Sequence, residues 1–503
     1  MKITRITKAT GPGAQHLRQI LSWGLPAVIT ISYLILALQS DLGLAFPTLI
    51  GVTSVIIMVL AVILYAGERG AIDWSPTVIL LVSVVLRTIF LFRPPDLSDD
   101  IYRYIWDGLL VLNGQNPYSA VPSNMQPPND ASHYLLRMMN HPDFATIYPP
   151  GAQLIFAAGA YLGDSFRGLK VVLVLMDSIS CALIIKLLSH AGLPSWRAVL
   201  YAWHPVPILE IGSSGHIDGA GVLFLLLTIA LLRAPAGARS IGPGPPARPE
   251  YFPKRPVFLA ASAGLAFSWA ALVKLFPLLF LPGIFMLVGK NCRVVFLTGV
   301  LAGACALTLP FLPDLKNMFT TLDTYLRNWE FAGLAFRTLR RITSSGDSAR
   351  LVLACFFQCS AAAIFGALWF GTYPIFRRGS RDGSSDSQPG LLPPALDKDY
   401  FLAVMKTLYF ITMAFLFLTP TLHPWYALYL VCFLPFTPGV GGLVLSATIF
   451  LPYIVLIPHK LFGLWVEGPY TPAVIWLAPA SAVLLLALTR KPREHRHAVE
   501  RRP

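Results

Sequence analysis

Charge is what this 503-residue sequence has least of. Only 13% of its residues are Asp, Glu, Lys or Arg, and 55% are hydrophobic; soluble domains carry about 25% charged residues. That scarcity excludes an ordinary soluble globular chain, and apolar runs near the ~20 residues needed to cross a bilayer recur along its whole length. Cysteine is sparse too: Cys181, Cys292, Cys305, Cys355, Cys359 and Cys432 all fall in or at the edge of apolar runs. None is spaced like a thiolate metal pair, and Cys355 and Cys359, four apart, read as small packing residues on an apolar helix. No Gly-rich nucleotide loop and no internal repeat are evident, and no small-residue cleavage site follows the basic N-terminus (Lys2, Arg5, Lys8, Arg18). The first apolar run is therefore expected to be a retained helix. A net charge of +14 would suggest nucleic acid in a soluble protein. Here the basic residues sit in tails and loops, as the positive-inside bias requires, so membrane lipid is expected as a partner and nucleic acid is not.

The pattern predicts an all-α polytopic membrane protein with about fourteen spans, near 19–39, 46–66, 75–93, 169–190, 196–213, 218–233, 256–272, 275–289, 293–312, 349–375, 401–418, 424–438, 441–457 and 471–490. With the N-terminus inside, the segment 94–168 falls outside, carrying Asp96, Asp99, Asp100, Asp107, Asp130, Asp143 and Asp164 against Arg103, Arg137 and Arg167. The Pro/Gly-rich loop 234–255 (Arg239, Arg248, Lys254, Arg255 against Glu250), the segment 376–400 (Arg377, Arg378, Arg381) and the basic tail 490–503 fall inside. One parity thus satisfies nearly every loop. Counting 149–162 as a span would invert all later loops, so it is read as a juxtamembrane or re-entrant helix. The outer loop 313–348 is the exception, holding Lys316, Arg327, Arg337, Arg340 and Arg341 on the unexpected side, which suggests an anionic ligand. The resulting organisation is 1–93 (tail and three spans), 94–168 (outer loop), 169–312 (core spans), 313–348 (basic outer loop), 349–490 (C-terminal spans) and 491–503 (inner basic tail).

Under this topology the unusual polar groups gather on one face. Residues 97–108 bring Asp99, Asp100, Tyr102, Arg103, Trp106 and Asp107 directly after an apolar run. Acidic groups beside a bilayer cost free energy, which marks them as functional candidates. Gly215-His216-Ile217-Asp218, Lys274-Leu275-Phe276-Pro277 and Thr421-Leu422-His423-Pro424-Trp425-Tyr426 fall near the same level. Each piece has a plainer reading. Asp100, Tyr104 and Asp107 share one face of a helix, as on any amphipathic interfacial helix, and Asp99 can pair with Arg103 at i+4. His216 and Asp218 suit a turn cap, Trp425 and Tyr426 an aromatic belt, Lys274 a snorkelling cation, and the Arg337/Arg340/Arg341 cluster a solvated charge run. Several such segments on one face favour an active site at the extracytoplasmic membrane surface.

At these residues the chain resembles the polyprenyl-phosphate-sugar-dependent glycosyltransferases of the GT-C superfamily, in particular bacterial membrane mannosyltransferases, and is similar to the first mannosyltransferase of glycosylphosphatidylinositol assembly. The likeness is carried by Asp99-Asp100-Ile101-Tyr102, Trp106-Asp107-Gly108, Asn113-Gly-Gln-Asn-Pro-Tyr118, Tyr148-Pro149-Pro150, Gly215-His216-Ile217-Asp218 and His423-Pro424-Trp425-Tyr426. It covers residues 93–220 in detail and the remainder only as a series of spans. It implies a GT-C-type bundle whose large extracytoplasmic first loop bears the catalytic acid among juxtamembrane helices. It also implies a multi-pass protein of the bacterial inner membrane with both termini cytoplasmic. The implied reaction transfers a hexose, mannose by likeness, from a polyprenyl phosphate to a glycan or glycolipid acceptor with inversion. The base role passes to Asp99 or Asp100. Relatives often have Asp-x-Asp where these acids are adjacent, so which one is the base, and whether the pair holds a divalent metal, stays open.

The implied chemistry asks for a carboxylate to take the acceptor proton and for cations to meet the charge developing on phosphate. Arg103, Lys274, Arg327, Arg337, Arg340 and Arg341 are the candidates for the second task. Tyr102, Trp106, Tyr148, Trp425 and Tyr426 suit stacking on sugar or lining a prenyl groove; His216, Asp218 and His423 suit sugar hydroxyls. The rival readings are a transporter or flippase of lipid-linked sugars, for which Asp177, Glu210 and Lys406 lie at or within spans, a ligase or polymerase using a lipid diphosphate, and a non-enzymatic scaffold.

Overall fold

The computed structural model describes residues 12–127, 132–163, 165–234, 254–378 and 397–489. Lys2, Arg5, Lys8, Asp130, Asp164, most of the predicted inner loop 234–255, Arg381 with most of 376–400, and the tail 490–503 lie outside the described residues. The helices of seven residues or more are α1 (Pro12–Ala37), α2 (Phe46–Glu68), α3 (Pro76–Leu91), α4 (Asp100–Leu112), α5 (Ser132–Met138), α6 (Pro150–Tyr161), α7 (Phe166–His190), α8 (Asp218–Arg233), α9 (Lys254–Val273), α10 (Leu281–Leu287), α11 (Arg293–Thr308), α12 (Leu315–Asn328), α13 (Leu334–Thr343), α14 (Gly346–Arg378), α15 (Lys398–Leu418), α16 (Val440–Thr448), α17 (Leu456–Phe462) and α18 (Thr471–Thr489). Among the described residues the β-type pairing consists of isolated bridges joining Phe331 and Ala332 to Thr421.

Nine helical stretches among the described residues are long and apolar enough to cross a membrane: Arg18–Ala37, Phe46–Glu68, Phe166–His190, Pro256–Val273, Lys290–Asn328, Gly346–Gly371, Lys398–Leu418, Val440–Phe462 and Thr471–Thr489. Pro76–Leu91 and Phe276–Leu287 are apolar but shorter. Leu351, Phe356 and Phe370 on α14 are more than half exposed. Apolar side chains presented in series along such a helix suit lipid better than water. The architecture is that of an all-helical polytopic membrane protein.

Two expected spans take another form. Residues 196–213 break into Ser195–Ala198, Val199–Ala202, Pro205–Pro207 and the π-turn Ile208–Ser213. Pro205 and Pro207 remove two donors, and the His204 side chain accepts from the Val206 amide at 3.1 Å. Residues 424–438 likewise hold only short turns around Pro424, Pro435 and Pro438. Both stretches are enclosed, with residues 198–223 and 427–436 buried throughout. Broken backbone is tolerated in apolar surroundings where protein covers it. The segment 149–162 is a single twelve-residue helix, α6, about 18 Å long at 1.5 Å per residue and too short for the ~30 Å hydrocarbon core. The predicted loop 313–348 contains α12, α13 and the start of α14.

Small residues let these elements approach closely, as in membrane helix pairs generally. A Cβ on Gly108 of α4 would lie 2.3 Å from the Phe156 carbonyl oxygen of α6, and one on Gly151 would lie 2.9 Å from the carbonyl oxygen of Leu272 in α9. Gly264 and Gly299 interlock α9 and α11 in the same way. The result pins α4 and α6 between the longer helices. Every residue from Ile101 to Leu110 is buried, so α4 is not the solvated amphipathic helix that its pattern alone also allowed.

Candidate functional site

Asp99 stands at the N-cap position of α4, without a side-chain bond to the helix amides, and Asp100 opens its first turn, where the helix dipole favours negative charge. One side-chain amide joins them: Asn140 donates to Asp99 Oδ1 at 2.8 Å and to Asp100 Oδ1 at 2.7 Å. The other Asp100 oxygen accepts from Tyr148 at 3.2 Å and from Tyr104 at 3.4 Å. Burial, then the neighbouring Asp100 carboxylate, raise Asp99 from the ordinary 3.8 to about 6, against the lowering effect of Asn140. Next to Asn140, His141 adopts a left-handed φ of 48°, and burial lowers its basicity despite the nearby Asp100.

A second arm comes from the turn before α8. His216 is fully buried, with Nδ1 3.8 Å from Asp100 Oδ2 and Nε2 3.4 Å from Glu210 Oε2. Its ring stacks on Trp425 with centroids 4.0 Å apart, and Trp425 stacks on His423 at 4.2 Å. His423 packs on Phe331 at 5.1 Å. The Phe331 segment is tied to the His423 segment by backbone bonds, Phe331 N–H to the Pro420 carbonyl and Leu422 N–H to the Phe331 carbonyl. Asp218, also buried, faces Lys274 Nζ at 3.3 Å, and that ammonium lies 5.3 Å from the centre of the Tyr148 ring. Tyr325 and Tyr426 share a hydroxyl–hydroxyl bond of 3.0 Å. Trp329, at the end of α12, meets His141 and Phe144 edge-on.

The structure therefore brings Asp99, Asp100, Tyr148, His216, Asp218, Lys274, His423, Trp425 and Tyr426 into one contiguous network. The other expected residues lie elsewhere or are already engaged. Arg103 donates to Asp107 at 2.9 Å and to the Phe144 carbonyl at 3.0 Å, leaving Nη2 buried without a hydrogen bond. Burial raises the Asp107 carboxyl, and Arg103 opposes that rise. Tyr102 packs edge-on against Tyr134, and Trp106 is wholly inside the core. Arg337 pairs with Glu467, Arg340 with Glu330 and Arg327 with Asp323, while Arg341 is exposed. Asp177 is held by Arg87 at 2.6 Å in a fully buried pair, and Lys406 is exposed beside Phe410.

Asn140, Tyr104, Tyr325, Trp329 and Tyr453 join the site without having been singled out for it, and Glu210, noted above for its place within a span, meets the site through His216 and Tyr453. Tyr104 was visible on the face shared with Asp100; Asn140 sits in a short polar stretch with no period to mark it. Among the described residues no group of three or more His, Cys, Asp or Glu is arranged to hold a metal ion.

Fold and site together define a multi-pass helical membrane protein with a buried carboxylate–histidine–aromatic centre. Comparison with known protein families, with curated proteins and with solved structures found no match.

Proposed function

We propose that this protein is a GT-C-type glycosyltransferase of about fourteen spans that uses a polyprenyl-phosphate-linked hexose, mannose on the sequence likeness. It transfers the sugar with inversion to a glycan or glycolipid hydroxyl on the extracytoplasmic side. The observation that carries this reading is the Asp99–Asp100 pair, bridged by Asn140 in a largely enclosed, aromatic-lined centre. A sugar hydroxyl is a weak nucleophile and needs a base within hydrogen-bond reach. Asp99, raised to about 6, is mostly ionised at neutral pH yet more basic than an exposed aspartate. Lys274, the cation of the cluster, stands one ring away from Asp100 across Tyr148 and suits the charge that grows on the departing phosphate. Trp425, sandwiched between His216 and His423, fixes both imidazoles beside the carboxylates.

The test is transfer in proteoliposomes from synthetic polyprenyl-phosphate mannose, glucose or arabinose to glycan and glycolipid acceptors. One of the three donors is expected to give product. Absence of turnover with all three would contradict the reading, and favour a carrier or a ligase drawing on a lipid diphosphate.

A further inference from the structure

Glu210 and His216 are two buried titratable groups in contact with the site to which the proposed transfer gives no proton-handling task. They are six residues apart, too far to meet on a regular helix, and a local distortion brings them together. Ile208–Ser213 is a π-turn, the Ser214 amide donates to the Leu209 carbonyl at 2.9 Å, and the His216 amide reaches the Glu210 carbonyl at 2.8 Å. Single π-turns of this kind concentrate at functional sites. They set the Glu210 carboxyl opposite His216 Nε2 while Nδ1 looks at Asp100. Tyr453 donates to both Glu210 oxygens, at 3.0 Å and 2.9 Å. Among the described residues no lysine or arginine lies within 4.0 Å of that carboxyl.

Two carboxyl groups facing the two nitrogens of one imidazole leave little freedom in where protons sit. A neutral imidazole has one N–H and one lone pair. If Nδ1–H points at an ionised Asp100, the bare Nε2 must face a protonated Glu210. If Asp100 is protonated and donates to Nδ1, Nε2–H faces an ionised Glu210. Burial without a cation favours the neutral form of Glu210, which selects the first arrangement at rest. Lys274, Asp218 and His423 are the other charged or titratable groups around His216. The gaps of 3.8 Å and 3.4 Å are longer than hydrogen bonds, as catalytic contacts often are before substrate closes the site.

We infer that Asp100, His216 and Glu210 form a proton relay in which the two outer carboxyl groups exchange one proton through the imidazole. This rests on the transferase reading for its occasion. With acceptor bound, the attacking hydroxyl oxygen forms the bond to the anomeric carbon as the bond to phosphate oxygen breaks, the hydroxyl proton passes to Asp99, and phosphate carries away the bonding pair. In the same step Glu210 gives its proton to Nε2 as Nδ1 gives its own to Asp100. The first arrangement thereby becomes the second: Asp100 is neutral, Glu210 is ionised and the imidazole stays neutral, with no proton gained or lost by the three groups. The reverse shift restores the resting arrangement. Glu210 and His216 act through Asp100, so they are positioning and relay residues.

The first test needs no substrate. In purified protein at neutral pH, infrared spectroscopy is expected to show the carbonyl stretch of a protonated carboxyl group that vanishes in Glu210→Gln. Asp100→Asn is expected to shift this band while His216 is present and to leave it unmoved in the His216→Phe background, where a ring still stacks on Trp425. A band indifferent to Asp100 with His216 in place would overturn the relay. The second test is transfer in heavy and light water. Glu210→Gln should lower the rate roughly 100-fold, within the usual range for acid–base assistance, and reduce a curved proton inventory to a linear one. Glu210→Asp should restore part of both. Spectroscopic coupling without sugar transfer would sink the transferase reading and leave the relay standing; transfer without coupling would do the reverse.

Discussion

Removing the Asn140 amide is the sharpest perturbation of the carboxylate pair. Asn140 gives one hydrogen to Asp99 at 2.8 Å and one to Asp100 at 2.7 Å, and both bonds favour the ionised acids. A hydrogen bond to a charged group contributes about 1.5–3 kcal/mol. At the lower figure, Asn140→Ala raises the midpoint of Asp99 by about one pH unit. The starting value is about 6, so the variant should titrate near ~7. A base works ionised, so the loss falls on the acid side. At pH 6.5 the ionised fraction drops from about three quarters to about one quarter, a roughly threefold loss of rate that fades above pH ~8.5. The assay is the pH dependence of sugar transfer in proteoliposomes. An acid limb that stays put, or a loss of equal size at every pH, would refute the reasoning.

Further outcomes follow from the same contacts. Lys274→Met strands the buried Asp218 carboxylate and should lower stability in detergent by about 3–5 kcal/mol, most of it regained when Asp218→Leu is added; a double variant no better than the single one argues against the pair. The folded value of Asp99 lies above its ordinary 3.8, so its contribution is intact below pH ~4 and is lost as pH rises through ~6. The loss is at most about 3 kcal/mol, and melting curves of Asp99→Asn should lack that slope. Gly108→Ala meets the Phe156 carbonyl oxygen and should destabilise by about 1–3 kcal/mol. Gly51→Ala, with nothing within 4 Å, is its neutral comparison in the same melts.

The long apolar helices were legible because their composition is itself the signal. The enclosed stretches 196–213 and 424–438 were not, since hydropathy registers apolar residues without showing whether neighbours satisfy a broken backbone. Prolines 205, 207, 424, 435 and 438 were the available clue. The charge of 313–348 concealed α12 and α13, whose apolar anchors Met318 and Phe336 are spaced among polar and basic residues. At the site, Asp99, Asp100, His216 and Asp218 stood out because acidic and imidazole groups in apolar surroundings are costly and need a reason. Asn140 and Tyr453 carry no such mark; their role depends on which distant carboxylate they meet. The partners of the arginines were hidden for the same reason. Arg337 reaches Glu467, 130 residues away, a pairing that no local spacing reveals.

The most direct measurement is transfer from the active synthetic polyprenyl-phosphate sugar by wild-type, Asp99→Asn and Asp100→Asn proteins, each reconstituted at matched amounts and checked for folding by its melting curve. At least one variant should lose about 100-fold or more in rate, on the scale of acid–base assistance, with its fold intact. Near-normal transfer by both would contradict the assignment of this carboxylate pair as the catalytic base.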